Sequence, residues 1–301
     1  MGGPGAPADW CEWARKVESW GYSTLTVNDH LGPFGPPDAL VAPMLALTLA
    51  ATVTTTLRLA TLVMNFDLRH AAVAASEWAA LDVLSGGRAE PGFGAGWGAE
   101  EYQATGLPFD PPSVRVARFE EYVQVLKGMW STEPFSYDGR FEHFHEFRSR
   151  PRALQRPHLP VLVGVAQPKM IQLAAREADI VSFGIFGSAR EADAKLAILR
   201  TAAENRMALE IRNGAQLMIT DEDPRAVAVR ALARRPTGPS TNLVPASIDD
   251  YLSAPGTFIG SLDAIAERMF AVRERWGISY FTISEASAAA AAPLVARLTG
   301  R

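Results

Sequence analysis

Residues 159–184 read LPVLVGVAQPKMIQLAAREADIVSFG and contain one complete strand-helix-strand unit. The continuous apolar run over 159–165 predicts a buried strand, Pro168 fits the first turn of a helix, and residues 179–184 predict a second strand. A tight hairpin turn cannot join two parallel strands, so such strands are usually connected through a helix. The helix between these two strands therefore indicates that they lie parallel in one sheet. This stretch therefore predicts an α/β fold.

The same alternation continues on both sides of this unit. The apolar runs predict seven strands, at 22–27, 57–64, 89–95, 159–165, 179–184, 214–220 and 278–284. Helices are predicted at 9–20, 38–53, 71–84, 114–130, 188–203, 224–234 and 261–276, besides the one that opens at Pro168. This pattern indicates a parallel sheet covered by helices, either a closed barrel or an open doubly wound sheet. The length of 301 residues suits a (β/α)8 TIM barrel, which usually has about 250 residues before insertions.

One strand of a complete barrel is missing from this pattern. It should precede the helix near Asp9, where only MGGPGAPA is available, so that either the start lies too far downstream or the barrel has an atypical open seam. Residues 131–159 contain Asp138-Gly139 between alternating aromatic residues, which predicts a hairpin within an insertion. Residues 235–247 lack periodicity and predict a mobile loop. We expect a single domain over residues 1–301.

Composition and charge argue against several classes of protein. With 29 Lys and Arg against 33 Asp and Glu, the formal charge is -4, and no basic stripe indicates nucleic-acid binding. The longest apolar run, 39–53, is shorter than the roughly 20 residues of a membrane helix. Cys11 is the only cysteine, which excludes an intramolecular disulfide and a cysteine zinc cluster. Without a recognisable secretory signal, we expect a cytoplasmic protein that acts on a small molecule.

The ends of the predicted strands carry the candidate site residues, since the active site of a barrel lies where strands lead into the following loops. His30, next to Asp29, is either a proton donor and acceptor or a histidine that only satisfies a local hydrogen bond. The loop 94–97, Gly-Ala-Gly-Trp, either admits a planar ring or a phosphate or forms a tight corner of the barrel. Asn65 and Phe183 follow two other strands.

Three further patterns are less specific. Residues 164–167, Gly-Val-Ala-Gln, precede the helix at Pro168 and could bind an anion, but local sequence alone favours an ordinary turn. The spacing of the glycines near Gly94 does not fit a dinucleotide fingerprint, because Trp97 and Ala99 stand where glycines are required. His143 and His145 lack a third ligand in the sequence, so no metal site is expected.

Several quoted motifs together resemble a known family. They are SEWAALDVLSGGRAEPGFGAGWGAEEYQATGLPF at 76–109, LVMNFDLRH at 62–70, YSTLTVNDH at 22–30, VLVGVAQPKMIQLAAREADIVSF at 161–183 and FIGSLDAIAERMFAVRERWGISYFTI at 258–283. The chain resembles the bacterial luciferase-like monooxygenase superfamily over nearly its whole length. Within that superfamily it is most similar to the branch of coenzyme F-420 (deazaflavin) dependent oxidoreductases.

The resemblance implies a (β/α)8 barrel with an insertion, which binds FMN or the deazaflavin in its mouth. It implies a catalytic role for His30, near the reactive face of the ring. The cofactor-binding positions that it implies are Asp29, Asn65, Gly94, Gly96, Trp97, Gly164, Val165, Ala166 and Gln167. The last four match the segment that cradles the cofactor phosphate.

The sequence also departs from the family at some of these places. Phe34 stands where the sugar-phosphate dehydrogenases of the superfamily have tryptophan, and Trp97 stands where they have glutamate, so their substrate is not expected here. Pro91 interrupts a strand, and residues 165–167 replace a glycine-rich loop. Phe34, Trp97, Phe183 and Phe186 are the predicted pocket walls and suggest an apolar or aromatic substrate.

Three hypotheses for function follow. The first is an oxidoreductase that transfers hydride between the deazaflavin and a small organic substrate, with His30 as the proton partner. The second is an FMN-dependent monooxygenase that uses oxygen and flavin reduced by a partner reductase. The third is a barrel without redox activity that binds or transforms a small metabolite, which Pro91 and the missing strand favour. A flavin or deazaflavin reductase and a second copy of the chain are the expected protein partners.

Overall fold

The computed structural model describes residues 7–31, 42–131, 133–204, 206, 209–234 and 245–299. Two compact units are present, one formed by Met1–Gly164 with Glu177–Asp179 and the other by Val165–Arg176 with Ile180–Arg301. Residues 1–6, where a first strand was sought, lie outside the described residues, as do Phe34, Asp38 and most of the predicted mobile loop.

The first unit alternates helices and strands. Its elements are α1 (Pro7–Ser19), β1 (Thr24–Val27), α2 (Pro43–Val53), β2 (Arg58–Thr61), β3 (Met64–Asn65), a 3-10 turn (Phe66–Leu68), α3 (Ala71–Ser85), β4 (Ala89–Glu90), β5 (Gly92–Gly94), α4 (Ala99–Thr105), α5 (Pro112–Ser131), β6 (Phe135–Asp138), β7 (His143–Phe147) and β8 (Leu162–Val165). The strands pair in parallel in the orders β1-β2-β4 and β3-β5-β8. Among the strands of the described residues, β6 and β7 alone are antiparallel, and they form the predicted hairpin.

Two predicted strands are each divided in the structure. The strand predicted at 57–64 becomes β2 and β3, which belong to different sheets, and the strand predicted at 89–95 becomes β4 and β5. Pro91 lies at the second break, where its carbonyl accepts a hydrogen bond from the Leu162 N–H at 2.8 Å. Proline has no N–H to continue the ladder on its other side, so the chain changes partner at this residue.

The second unit contains the remaining elements. They are α6 (Pro168–Glu177), β9 (Ile180–Phe183), α7 (Ala189–Ala203), β10 (Glu210–Gly214), β11 (Gln216–Ile219), α8 (Pro224–Ala233), α9 (Ile248–Ser253), β12 (Thr257–Gly260), α10 (Leu262–Trp276), β13 (Tyr280–Thr282) and α11 (Glu285–Leu298). The strands pair in parallel as β9-β10-β13 and as β11-β12.

The sequence prediction was incomplete in three places. The bounds of the strand predicted at 214–220 are wrong. Strand β10 begins earlier, at Glu210, and Ala215 separates it from β11. The helix predicted from Asp38 begins at Pro43, after the extended Ala42, as expected from the preference of proline for the first helical position. Elements α4, α9 and β12 were not predicted, and α9 begins directly after Ser247, its N-cap residue.

The LSGGR motif at 84–88 has a structural role. Gly86 ends α3 in the left-handed conformation, with φ of 71°. The Arg88 guanidinium then donates to the carbonyl oxygens of Ala51 at 3.1 Å, Thr54 at 3.0 Å and Leu57 at 2.7 Å. These carbonyls lie at the end of α2 and after it, so one arginine satisfies acceptors that the helix leaves open.

No described helix is both long enough and apolar enough to cross a lipid bilayer.

Candidate active site

Three strand ends of the first unit converge on one cluster of polar side chains. Asp29 and His30 follow β1, Asn65 ends β3, and the loop that begins at Gly94 follows β5. Each of these strands lies in a parallel arrangement with its neighbour, so the polar groups lie at carboxyl ends. The expected gathering of Asp29, His30, Asn65 and the glycine loop is present.

Asp29 is a buried carboxylate that is held by arginine. It is 1% exposed, and its Oδ2 atom accepts a hydrogen bond from Arg69 at 2.6 Å. Arg69 in turn lies 3.5 Å from the Glu77 carboxylate through its Nε atom. Burial raises the pKa of the Asp29 carboxyl, and the guanidinium of Arg69 offsets this effect only in part. Asp29 therefore orients Arg69 at the site.

His30 is held from two directions. Its Nδ1 atom lies 3.3 Å from the Glu101 carboxylate of α4. Its ring meets the Trp97 ring edge to face, with centroids 5.8 Å apart. The same Glu101 oxygen accepts a hydrogen bond from the Leu31 N–H at 2.6 Å. The imidazole thus has an acidic partner on one nitrogen and an aromatic wall beside it.

Asn65 presents a buried donor without a partner. Its Oδ1 atom accepts from the Asp67 N–H at 3.2 Å and lies 3.2 Å from the Tyr102 hydroxyl. Its Nδ2 atom is buried, and no described residue forms a hydrogen bond with it. A buried donor left unpaired costs free energy, so this amide group is suited to an acceptor supplied by a ligand.

Tyr102 links Asn65 to a second ion pair. Its hydroxyl donates to Asp67 at 2.7 Å, and Asp67 also pairs with Arg118. Burial raises the pKa of the Asp67 carboxyl, against the effect of Tyr102 and Arg118. The Tyr102 hydroxyl fills the space beside Gly96, where a Cβ atom would lie 2.0 Å from it.

Two glycines lie against Val63. A Cβ atom at Gly94 would lie 2.7 Å from Val63 Cγ2, and one at Gly164 would lie 3.0 Å from Val63 Cγ1. Any larger residue at Gly94 would have to displace this valine, because real Cβ contacts are not that short. The strand ends of β5 and β8 therefore approach Val63 with their backbones alone.

Arg115 of α5 fixes the loop after β5. It donates to the carbonyl oxygens of Ala95 at 3.2 Å, Gly96 at 3.4 Å and Asp110 at 2.6 Å. Its guanidinium also stacks on the Phe109 ring, 4.0 Å from the centroid. The loop leaves the indole of Trp97 54% exposed.

The other predicted site residues belong to the second unit or lie outside the description. Val165 is buried at the end of β8, whereas Ala166 and Gln167 are exposed just before α6. Phe183 and Phe186 are both 2% exposed, and their rings pack with centroids 5.0 Å apart. Phe34 is not among the described residues. The roles assigned to these residues stay predictions.

Sequence reasoning missed Arg69, Glu101, Tyr102 and Arg115. Glu101 and Tyr102 lie on α4, which was not predicted, and their partners are 35 to 71 residues away in the chain. The signal that could have identified them is the acidic start of a short helix directly after the glycine loop, followed by an aromatic residue.

No group of three or more His, Cys, Asp or Glu side chains in the described part of the chain is placed to hold a metal ion. His143 instead lies 2.8 Å from the Asp138 carboxylate across the β6-β7 hairpin.

Known proteins are similar in sequence to about half of this chain. The FMNH2-dependent dimethylsulfone monooxygenase of Pseudomonas putida is 32% identical over 166 residues, which are 54% of this chain and 46% of that protein. The F420-dependent glucose-6-phosphate dehydrogenase of Kineococcus radiotolerans is 30% identical over 176 residues, 58% of this chain and 51% of that protein. The matches thus span about half the length of these curated relatives.

The fold is shared with solved structures over almost the whole chain. The monooxygenase RslO1 from Streptomyces bottropensis matches 98% of this chain and 94% of its own, with a TM-score of 0.73 and 22% identity. With the parallel strands and intervening helices, this likeness confirms the predicted α/β class of (β/α)8 type. The sequence pattern of one family, the luciferase-like monooxygenases, matches residues 1–280. The chain therefore belongs to the luciferase-like monooxygenase family.

Proposed function

We propose that this protein is an oxidoreductase that uses the deazaflavin coenzyme F-420 to transfer hydride to or from a small organic substrate. The observation that carries the proposal is one cluster that holds both the His30–Glu101 pair and, through Tyr102, the unpaired Nδ2 atom of Asn65. One group can exchange a proton and the other can hold a ring carbonyl.

The residues present fit a flavin-type ring through the free donor of Asn65. The buried Nδ2 atom of Asn65 offers a hydrogen bond that no described residue accepts, and carbonyl groups of such a ring are acceptors of that kind. When bound, the reduced deazaflavin would supply a hydride and reduced FMN would supply two electrons for a reaction with oxygen.

The protein would supply orientation and proton exchange. His30 is held by Glu101 and Trp97, so its imidazole can release or take up a proton in a fixed direction. Asp29, paired with Arg69, borders the same cluster. Val165, Ala166 and Gln167, before the N-terminus of α6, would hold the anionic tail, since the backbone N–H groups at a helix start attract phosphate.

The substrate proposed is an apolar or aromatic compound. Trp97 presents an exposed indole where a sugar-phosphate dehydrogenase would need polar groups, and an indole offers a stacking face rather than a charge. The proposed substrate therefore differs from that of the dehydrogenase relative, whereas the proposed cofactor is the same.

An FMN-dependent monooxygenase is the second candidate, because the Pseudomonas putida relative is FMNH2-dependent at 32% identity. It would require a partner that supplies reduced flavin. Both named relatives are redox enzymes, so a barrel without redox activity receives no support from them.

Titration of the protein with the deazaflavin and with FMN, followed by fluorescence, tests the proposal. We expect tighter binding of the deazaflavin, and we expect Asn65→Leu to weaken it roughly tenfold, as the loss of one hydrogen bond predicts. His30→Ala should keep the affinity and lower turnover by about a hundredfold. Binding of FMN alone, with substrate-dependent oxygen consumption, would favour the monooxygenase.

A further inference from the structure

Helix α4 contributes a buried carboxylate to the site. Glu101 is 2% exposed, and its Oε1 atom lies 3.3 Å from His30 Nδ1. The same oxygen accepts the Leu31 N–H at 2.6 Å. A carboxylate that is buried to this extent needs hydrogen-bond donors, and the donors described here both come from the segment that directly follows β1.

We propose that Glu101 is a positioning residue that fixes the tautomer of His30. An ionised carboxylate only accepts hydrogen bonds, so the contact with Nδ1 requires the proton to be on that nitrogen. In the neutral imidazole Nε2 is then the basic atom. Glu101 therefore selects which nitrogen of His30 exchanges protons, and the catalytic consequence rests on the proposed function.

Helix α4 is fixed well enough to carry this role. Tyr102, the next residue, donates its hydroxyl to Asp67 at 2.7 Å, which anchors the helix to the turn after β3. The Leu31 contact holds the Glu101 oxygen on the other side. The edge-to-face contact with Trp97 restrains the plane of the imidazole. Apart from their contact with each other, the Glu101 carboxylate is thus held by Leu31 and the His30 ring by Trp97.

The tautomer can be measured in the full-length protein without a cofactor. Nitrogen-15 NMR near pH 8 distinguishes the two ring nitrogens, and His30→Gln identifies the His30 signals among the five histidines. We expect neutral His30 to carry its proton on Nδ1. Glu101→Ala should shift the population towards the Nε2-protonated form, whereas Glu101→Gln should retain the wild-type form, because its amide oxygen can accept the same two hydrogens.

Glu100→Ala is the matched control, because Glu100 is an exposed neighbour on the same helix. This change should leave the His30 signals in place. In turnover assays at saturating cofactor, Glu101→Ala should lower kcat by roughly 10- to 100-fold with little change in KM, because part of the acid-base contribution of His30 depends on the correct tautomer. Glu101→Gln should recover most of that loss.

A wild-type His30 with its proton on Nε2 would overturn the inference, and so would an unchanged tautomer in folded Glu101→Ala. The wild-type spectrum decides the question even if that variant does not fold. Since the NMR measurement uses no cofactor, failure of the deazaflavin to bind would remove the proposed function and leave this result standing. An Nε2-protonated His30 in a protein that binds the cofactor would remove only the role of Glu101.

Discussion

At the scale of single residues, Tyr102 explains why glycine occupies position 96. Gly96 has a φ of +68°, which side chains rarely adopt, and the Tyr102 hydroxyl stands where its Cβ would be. Gly106 has a similar φ of +73° but nothing within 4 Å of a Cβ atom. Substitutions at the two glycines therefore distinguish the cost of the left-handed backbone, which both would have, from the cost of a clash with Tyr102, which only Gly96 would have.

Gly106→Ala should lower the free energy of unfolding by about 1 kcal/mol, the usual cost of the left-handed region. Gly96→Ala should cost at least about 1 kcal/mol more, because the tyrosine must also move. Urea unfolding of both variants measures the difference. In the Tyr102→Phe background the extra cost should shrink, and equal losses in the two single variants would contradict this account.

Asp29 predicts a pH dependence of stability. Burial raises its pKa in the folded state, so the folded protein binds a proton more readily than the unfolded chain. The stability that Asp29 contributes is then complete below the ordinary pKa of aspartate, about 4, and is lost as the pH rises through the raised value. Relative to Asp29→Asn, the wild type should therefore lose stability as the pH rises above about 4. Urea unfolding at several pH values measures this difference, and a wild type that gains stability relative to the variant would contradict it.

The sequence predicted the strand-end residues of the cluster but not their partners. Position in the barrel pattern was sufficient for His30 and Asn65, since each follows an apolar strand directly. The pairing of His30 with Glu101 depends on where α4 packs, and seven residues carry too little periodicity to predict a helix. Local sequence therefore indicates where the site lies, and tertiary contacts determine its electrostatics.

At the scale of elements, Arg88 connects the end of α2 to the start of β4. Its side chain also donates to the Ser85 carbonyl at 2.7 Å, at the end of α3. The LSGGR motif thus joins two helices to the sheet. Asp82 has a related role, because its carboxylate accepts the Leu154 N–H at 2.6 Å and the Gln155 N–H at 3.1 Å.

Arg88→Ala should lower the free energy of unfolding by about 3 kcal/mol, because several partly buried carbonyls lose their donor together. Arg15→Ala, on the exposed face of α1, should change it by less than about 0.5 kcal/mol. Urea unfolding compares the two. The folded Arg88 variant should bind the cofactor with wild-type affinity, and a selective loss of affinity would contradict a purely structural role.

The elements that were predicted incompletely share a physical cause. Strand β10 includes Glu210, Arg212 and Asn213, so its polarity conceals it from a search for apolar runs. Strands β3 and β4 have only two residues each, and their length is set by the sheet rather than by propensity. Longer helices such as α5 and α10 were predicted within a few residues, because their apolar faces repeat over several turns.

At the scale of the whole molecule, the two units are interleaved along the chain. Glu177–Asp179 belongs to the first unit, although segments of the second unit precede and follow it. Lys127 donates to the Glu177 carbonyl at 3.0 Å, and the Val161 N–H donates to the Asp179 carboxylate at 2.8 Å. Unfolding of the second unit would strain these contacts, because both ends of Glu177–Asp179 continue directly into that unit.

We therefore expect both units to unfold in one transition. Trp276 is the only tryptophan of the second unit, so fluorescence of Trp276→Phe reports on the first unit, while far-UV circular dichroism reports on both. The two urea midpoints should coincide. Separate midpoints would show that the chain connections do not couple the units.

The contacts that orient His30 come from Glu101 and Trp97, and all three residues precede the crossing into the second unit at Val165. Segment exchange between relatives beyond Asp179 therefore transplants none of these three residues. The proposed proton exchange and the aromatic wall of Trp97 are thus encoded on one continuous stretch of the gene, which recombination can carry as a single cassette.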